Sequence, residues 1–285
     1  MRGYATTPEG QVHYIEEGAG EPLLLLHQTG SSRQFWRLMP LLARRYRVIA
    51  LDNLGAGNSD PLPPNVQIND MARSIIHAMD DLGIGRAHVF GFHTGNKIGT
   101  EMAAAWPERV AGLILCGNSH SIMADHEELN AALGAVVAST VRQYPPEPSG
   151  AHLLKQWAAE FSRLSATWWA TNDYEGAALT PDLFERRRER IIDALQLRDN
   201  HEVYRAIFAF DLGARMRDIK APTLIVEVRV PSEAHLAPQG PKLIRLVPNS
   251  RLATVTLPAA GMAVEVKADE MAGLVLDFLA TLPPA

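Results

Sequence analysis

The sequence predicts an α/β protein with a mostly parallel, doubly wound sheet into which a helical cap is inserted. Over the first 117 residues, short apolar runs alternate with amphipathic segments, which is typical of strands and helices in turn. From Asn118 to about Arg217 no strand pattern appears, and the spacing of apolar residues indicates several helices. Further apolar runs then resume the sheet before a last amphipathic helix.

The strands of the first part are predicted from apolar runs. Val12–Glu16 alternates apolar and polar residues, which predicts an edge strand. Leu23–Leu26 is apolar throughout, as expected of a strand that is covered on both faces. The remaining runs lie at 46–51, 87–90 and 113–116. A parallel sheet therefore begins in this part of the chain.

Amphipathic helices are predicted between these strands. The apolar repeats that indicate them are Phe35, Leu38, Leu41 and Leu42, followed by Met71, Ile75, Met79 and Leu82. Gly83 ends the second of these helices, and Pro107 ends a third that includes Ala103–Ala105. Alternation of such helices with strands favours the doubly wound arrangement.

The end of the chain returns to the same pattern. Pro222–Val228 and Leu252–Leu257 predict two more strands, and Glu270–Leu282 predicts a final helix. We therefore expect residues 1–118 and 216–285 to form one core and residues 119–215 to form the cap.

Composition excludes several classes of partner. The chain has 285 residues, a single cysteine and a formal net charge of −5, and no basic face is visible, so no nucleic-acid partner is expected. The apolar runs are far shorter than the ~20 residues that span a bilayer, so no membrane partner is expected. Cys116 cannot form an internal disulfide, and the polar start of the chain lacks a signal-peptide pattern, which favours the cytoplasm. We expect a small-molecule substrate, and association into a homo-oligomer stays open.

Candidate site residues follow the predicted strands, because ligands bind at the carboxyl ends of strands in an open parallel sheet. These residues are His27, Gln28, Ser31 and Ser32 after the first buried strand, Asp52 and Asp60 in the next turn, His93 and Thr94 after the third strand, and Asn118 and His120 after the fourth. Cys116, at a strand end, is expected to be buried and inert.

The order of these segments resembles the α/β-hydrolase fold family over nearly the whole chain. The matching segments are the His27–Gly30 turn with Trp36 behind it, the turn from Asp52 to Asp60, Ala104–Val110, Pro222–Leu224 and Gly261 before the final helix. The resemblance implies a core sheet with a cap. It also implies a nucleophile elbow, Gly-x-Ser-x-Gly, in which a strained strand-to-helix turn exposes the nucleophile.

The positions that the resemblance assigns to a catalytic triad are all substituted. They hold His93 for the nucleophile, Met262 for the histidine, and Val230, Pro231 or, in the alternative place, Asn118 for the acid. The elbow glycines are retained as Gly91 and Gly95. Because a methionine side chain neither takes up nor releases a proton at neutral pH, a Ser-His-Asp mechanism is not available to this chain.

His93 is the candidate catalytic residue. The helix that begins near Thr94 carries a partial positive charge at its start, which favours a neutral imidazole. The resemblance implies that the backbone amides of Gln28 and Thr94 bind an oxyanion. We therefore expect a cofactor-independent enzyme that acts on a small carbonyl or aromatic compound by general acid/base catalysis at His93. Lyase, decarboxylase, cyclase and non-covalent hydrolase reactions all fit this arrangement.

Two alternatives stay open. The first is a catalytically silent protein in which His93 only binds a ligand, or fills an inactive elbow and hydrogen-bonds a neighbour. The second is a metal site formed by residues after neighbouring strands, namely His27, His93, His120 and His235. The spacing contains no helical His pair and no cysteine ligand, so the leading hypothesis includes no metal.

Other side chains are candidate substrate contacts. They are Ser31, Trp36, Asn118, His120, Trp168, Trp169 and Met262. Loop capping by Ser31 and packing by the three tryptophans are equally consistent with the sequence. His27 is expected to brace its loop, as the resemblance implies, and Asp52 and Asp60 are expected to hold theirs.

Overall fold

An eight-stranded sheet forms the centre of the protein. The computed structural model describes residues 1–117, 147–155, 157–158, 192–193, 200–230, 238–257 and 263–285. The strands are β1 (Arg2–Thr7), β2 (Gly10–Glu17), β3 (Pro22–Leu26), β4 (Arg47–Leu51), β5 (Ala87–Phe92), β6 (Val110–Cys116), β7 (Thr223–Arg229) and β8 (Ser250–Thr256).

The strand order is β1-β2-β4-β3-β5-β6-β7-β8. β2 runs antiparallel to β1 and β4, and all other neighbouring strands are parallel, which confirms the predicted mostly parallel sheet. The prediction that Val12–Glu16 forms an edge strand was wrong, because β2 pairs on both sides and β1 forms the edge. β1 escaped prediction because only Ala5 and Thr7 of its side chains are buried.

Helices cover both faces of the sheet, as expected of a doubly wound fold. On one face lie Ile68–Asp81, Thr94–Ala105, Asn200–Ala209, Leu212–Met216 and Gly240–Leu246, and on the other lie the 3-10 turn Ser32–Phe35 and the helices Leu38–Leu42, Ala263–Val266 and Ala268–Leu279. Leu24 and Leu26 pack on the first face, and Leu23 and Leu25 on the second. The uninterrupted leucine run therefore fills both cores, as predicted.

The predicted cap lies largely outside the described residues, so its boundaries at 119 and 215 stay predictions. Of this segment, Asn200–Ala209 and Leu212–Met216 are helices, and Val203, Ala206 and Leu212 pack into the first core. Among the described residues, no helix is both long and apolar enough to cross a membrane.

Candidate active site

The turn between β5 and the helix Thr94–Ala105, the elbow helix, has the backbone geometry of a nucleophile elbow. His93 stands at its apex with φ +48° and ψ −99°, a conformation that L-residues rarely adopt. The His93 amide donates to the Cys116 carbonyl, and the Asn96 amide donates to the His93 carbonyl, both at 3.0 Å. Such backbone strain costs about 1–3 kcal/mol and persists only where the surrounding structure enforces it.

The two elbow glycines are required by close backbone contacts. A Cβ on Gly91 would overlap the carbonyl oxygen of Gly95, and a Cβ on Gly95 would overlap the carbonyl oxygen of Leu26. Both obstacles are backbone atoms of packed elements, which cannot move aside as a flexible side chain can. The glycine spacing that identified the elbow in the sequence therefore has a steric cause.

The His93 ring is half-buried and packs against Phe92 and Gly117. It meets the Phe92 ring edge-on, with ring centroids 4.4 Å apart. It also lies beside Gly117, where an added Cβ would lie 3.0 Å from both Nε2 and Cε1 of His93. Gly117 has φ +94°, so its backbone and the space beside the imidazole both favour glycine.

His27 braces the turn that follows β3 (residues 27–35), which we call the oxyanion turn after the role predicted for the Gln28 amide. Its Nε2 accepts from the Asn53 amide at 2.9 Å, and its Nδ1–H donates to the Gln28 carbonyl. Burial lowers the His27 pKa, so the imidazole is neutral at pH 7. Because hydrogen bonds engage both ring nitrogens of His27, this residue fixes the position of Gln28 and has no ring nitrogen left for a metal.

Asp52 also holds this turn. Its carboxylate accepts from His13 Nδ1 at 2.8 Å and from the amides of Ser32 at 2.6 Å and Asn58 at 3.0 Å. Burial alone would raise the Asp52 pKa, but the His13 hydrogen bond and these amides lower it to about 2. The three hydrogen bonds to its carboxylate agree with the expectation that Asp52 holds its loop.

Among the described residues of the inserted segment, Asp193 and Tyr204 contact the oxyanion turn. The Ser31 hydroxyl donates to Asp193 Oδ2 at 2.8 Å, and Arg33 Nη1 donates to Asp193 Oδ1 at 3.2 Å. The hydroxyls of Thr29 and Tyr204 lie 3.3 Å apart. Sequence reasoning missed Asp193 and Tyr204, because no motif spacing links residues this far apart in the chain.

The remaining predicted site residues are placed as follows. Thr94 is buried in the first turn of the elbow helix, and Gln28 is half-buried. Trp36 is 38% exposed, with the Arg37 guanidinium 4.9 Å from its ring centroid. Ser31 is buried, and its hydroxyl donates a hydrogen bond to Asp193. Contact of Ser31 or Trp36 with a substrate stays a prediction.

Several other candidates lie outside the described residues. They are Asn118, His120, Trp168, Trp169, Met262 and His235. Their roles stay predictions. Within the part of the chain that the structure describes, no three His, Cys, Asp or Glu side chains group closely enough to hold a metal ion.

Cys116 and Lys97 are both buried near the elbow, but the sequence analysis singled out only Cys116. Cys116 is fully buried, 4.0 Å from the sulfur of Met271, and burial raises the pKa of its thiol, so the expected inertness is supported. Lys97, one helical turn after His93, was missed. Burial lowers the pKa of Lys97 to about 8. The sequence could have indicated this residue by its position among the buried residues of the elbow helix.

Comparisons with known proteins identify the family to which the chain belongs. A family profile described as alpha/beta hydrolase fold matches residues 21–205. The chain is 30% identical to 2-hydroxy-6-oxononadienedioate/2-hydroxy-6-oxononatrienedioate hydrolase 2 of Pseudomonas putida, over 94% of this chain and 91% of that protein.

Solved structures share the fold at lower identity. The enol-lactonase from Burkholderia xenovorans LB400 superposes with a TM-score of 0.72 at 22% identity, covering 98% of this chain and 100% of that one. A meta-cleavage product hydrolase from Pseudomonas fluorescens IP01 gives a TM-score of 0.70 at 22% identity, with 98% and 97% covered. The chain therefore belongs to the alpha/beta hydrolase fold family, and its curated relatives are enzymes of the hydrolase class.

Proposed function

We propose that the protein is an α/β-hydrolase-fold enzyme that works without a covalent nucleophile and uses His93 as its general acid/base. The observation that carries this proposal is the strained conformation of His93 at an elbow whose glycines are sterically required. A strained backbone is costly, and strain of this kind is concentrated at functional sites. The elbow holds a half-buried imidazole where the fold otherwise holds a hydroxyl.

The surroundings of His93 suit proton transfer. The N-terminal end of the elbow helix favours a neutral imidazole, which is the form that accepts a proton. The Thr94 amide lies in the first turn of that helix, where amides have no acceptor within the helix. Together with the Gln28 amide, whose own residue is braced by His27, it would stabilise negative charge on a carbonyl oxygen.

The proposed chemistry needs no bond between protein and substrate. His93 removes a proton from water, which attacks the carbonyl carbon, or removes one from the carbon next to the carbonyl. In both cases the electron pair moves onto the carbonyl oxygen, beside the two amides. The protonated imidazole then returns its proton to the leaving group or to carbon. Non-covalent hydrolysis, elimination, decarboxylation and cyclisation share this enolate or oxyanion intermediate.

The proposed substrate is a small carbonyl compound, and unsaturated hydroxy-oxo acids are the first class to test. A relative that matches nearly the whole chain is named for hydrolysis of 2-hydroxy-6-oxo dienedioates and trienedioates. Such compounds combine an enol with a ketone, so an enzyme that moves protons beside an oxyanion site has suitable chemistry for them.

The test compares His93→Ala and His93→Gln with the wild type on a panel of hydroxy-oxo dienoates, enol lactones and activated esters. We expect kcat to fall at least about 100-fold in both variants, as for removal of a general acid/base. His77→Gln is the control, because His77 lies on another helix and is paired with Glu9 at 2.8 Å. Unchanged turnover in His93→Ala would reject the proposal.

A catalytically silent ligand-binding protein is the alternative from the sequence. It predicts a panel compound that raises the melting temperature of the wild type and is recovered chemically unchanged. A product that forms with the wild type but not with His93→Ala would exclude it. A fluorophosphonate probe for activated serines should label neither the wild type nor His93→Ala, because position 93 carries no hydroxyl in either protein.

A further inference from the structure

The oxyanion turn is stiff on the side that faces the core. His27 binds the Gln28 carbonyl, the Asp52 carboxylate accepts from the Ser32 amide, and the Gln34 side chain donates to the Thr29 carbonyl at 3.1 Å. At Gly30, with φ +142°, an added Cβ would overlap Nε2 of Gln34. Hydrogen bonds therefore hold the backbone of this turn at several points along its length.

The inserted segment binds the same turn through a buried charge. Asp193 is 8% exposed and Ser31 is 1% exposed. The Asp193 carboxylate receives both the Ser31 hydroxyl and the Arg33 guanidinium. The Ser31 hydroxyl also accepts from the Arg33 amide at 3.3 Å and so caps the 3-10 turn Ser32–Phe35. One hydroxyl thus links the inserted segment to the backbone of the oxyanion turn.

We propose that Asp193 is a positioning residue that sets the Gln28 amide through Ser31 and Arg33. A buried carboxylate needs its donors, and the donors need it in turn, so this cluster is stable only with all three groups in place. The oxyanion turn therefore depends on a buried carboxylate that the inserted segment supplies. The catalytic half of this proposal rests on the proposed function, whereas the effect on the turn does not.

The first experiment needs no substrate. Hydrogen–deuterium exchange is compared among the wild type, Asp193→Ala, Asp193→Asn and Ser31→Ala, using peptides that cover residues 27–36 and, as an internal reference, residues 87–92. We expect Asp193→Ala to speed exchange in the first peptide about tenfold and to leave the second unchanged. Asp193→Asn should have a smaller effect, because an amide oxygen still accepts from Ser31.

The matched control is Asp80→Asn. Asp80 also pairs with an arginine, Arg109 at 2.7 Å, but its side chain is 57% exposed and lies away from the turn. Equal exchange in the Asp193 variants, the control and the wild type would overturn the proposal. Faster exchange in both peptides of an Asp193 variant would also overturn it, because that pattern indicates general destabilisation.

The second experiment uses a substrate found by the panel above. We expect Asp193→Ala and Ser31→Ala each to lower kcat roughly ten- to hundredfold with KM changed less than about threefold, because a displaced oxyanion donor weakens mainly the transition state. Ser31→Thr should restore kcat, and the Asp193→Ala/Ser31→Ala double variant should lose no more than either single one. Additive losses, or a change in KM alone, would reject the positioning role. If His93→Ala retains activity, the proposed function fails, yet the exchange result still decides whether Asp193 orders the turn.

Discussion

At Gly95 a single methyl group would be enough to disturb the elbow, because the Leu26 carbonyl occupies the space where a Cβ would lie. At Gly91 the Gly95 carbonyl likewise occupies the space that a Cβ would need. His93 itself is held by the hydrogen bond from its amide to Cys116. Backbone contacts on either side of position 93 therefore fix the elbow, and the identity of the side chain at 93 does not.

We expect Gly95→Ala to lower the free energy of unfolding by about 1–3 kcal/mol, the usual cost of overpacking. The matched control is Gly273→Ala, which is exposed in the helix Ala268–Leu279 with nothing within 4 Å of the added Cβ. That variant should gain up to about 1 kcal/mol from helix propensity. Urea unfolding monitored by circular dichroism measures both. Similar effects in the two variants would contradict the steric account.

Asp52 gives the protein a defined dependence of stability on acid. Its pKa falls from 3.8 to about 2 in the folded state, so its contribution is fully present above pH 4 and is lost as the pH falls towards 2. The shift corresponds to about 2 kcal/mol. In Asp52→Asn, this part of the decrease in unfolding free energy between pH 4 and 2 should be absent. Parallel pH profiles of the two proteins in urea unfolding would refute this assignment.

The elbow helix is connected to two neighbouring helices through Glu101. Glu101 is buried and receives Nε and Nη2 of Arg215 at 2.7 and 3.0 Å. It also accepts from Asn69 at 2.7 Å. Three helices, Ile68–Asp81, Thr94–Ala105 and Leu212–Met216, are joined at this carboxylate.

We expect Glu101→Gln to lower the free energy of unfolding by about 2 kcal/mol, because it removes a buried carboxylate charge that pairs with the half-buried Arg215. Asp218→Asn is a closely matched control, since Asp218 binds the same Arg215 at 2.9 Å but its side chain is 55% exposed. That change should cost less than about 0.5 kcal/mol. Thermal and urea unfolding of both variants provide the measurement, and equal costs would be inconsistent with burial as the cause.

Elements that bury a whole face were predictable from the sequence. Leu23–Leu26 and the helix Ile68–Asp81 followed from their apolar patterns, and the elbow helix followed from its glycines and its Pro107 stop. β1 was not predictable, because its pairing with β2 depends on backbone hydrogen bonds that leave no pattern in Arg2–Thr7. The edge position assigned to β2 failed for the same reason.

The candidate site was predictable only where one motif contains all of its parts. His93 could be found because Gly91 and Gly95 lie beside it in the sequence. Asp193 and Tyr204 could not, because they meet Ser31 and Thr29 only after the insertion has folded onto the core. The three donors to Asp52 likewise come from separate strands and turns, and no single stretch of sequence displays them together.

At the scale of the whole molecule, the single cysteine reports on global unfolding. Cys116 lies at the end of β6, fully buried between the sheet and the helix Ala268–Leu279. The sequence contains no other thiol, so every labelling event is assigned to this position. Because Cys116 is fully buried in the central sheet, we expect a reagent to reach it only after the sheet opens.

We expect Ellman's reagent to react with native protein at least about 10³-fold more slowly than with protein in guanidinium chloride, in line with the usual ratio of folded to unfolded molecules. The free energy from the native labelling rate should equal that from urea unfolding. Rapid labelling of the native protein would show that β6 is accessible through a local opening.

The elbow also offers an engineered use. Because its glycines and backbone contacts hold the turn whatever stands at its apex, His93→Cys would place one half-buried thiol at the start of a helix, where thiolate is favoured. The native thiol at Cys116 would stay silent toward labelling reagents. A spin label or fluorophore could then be attached at the floor of the site in one step, with no cysteine to remove, and report directly on what the protein binds.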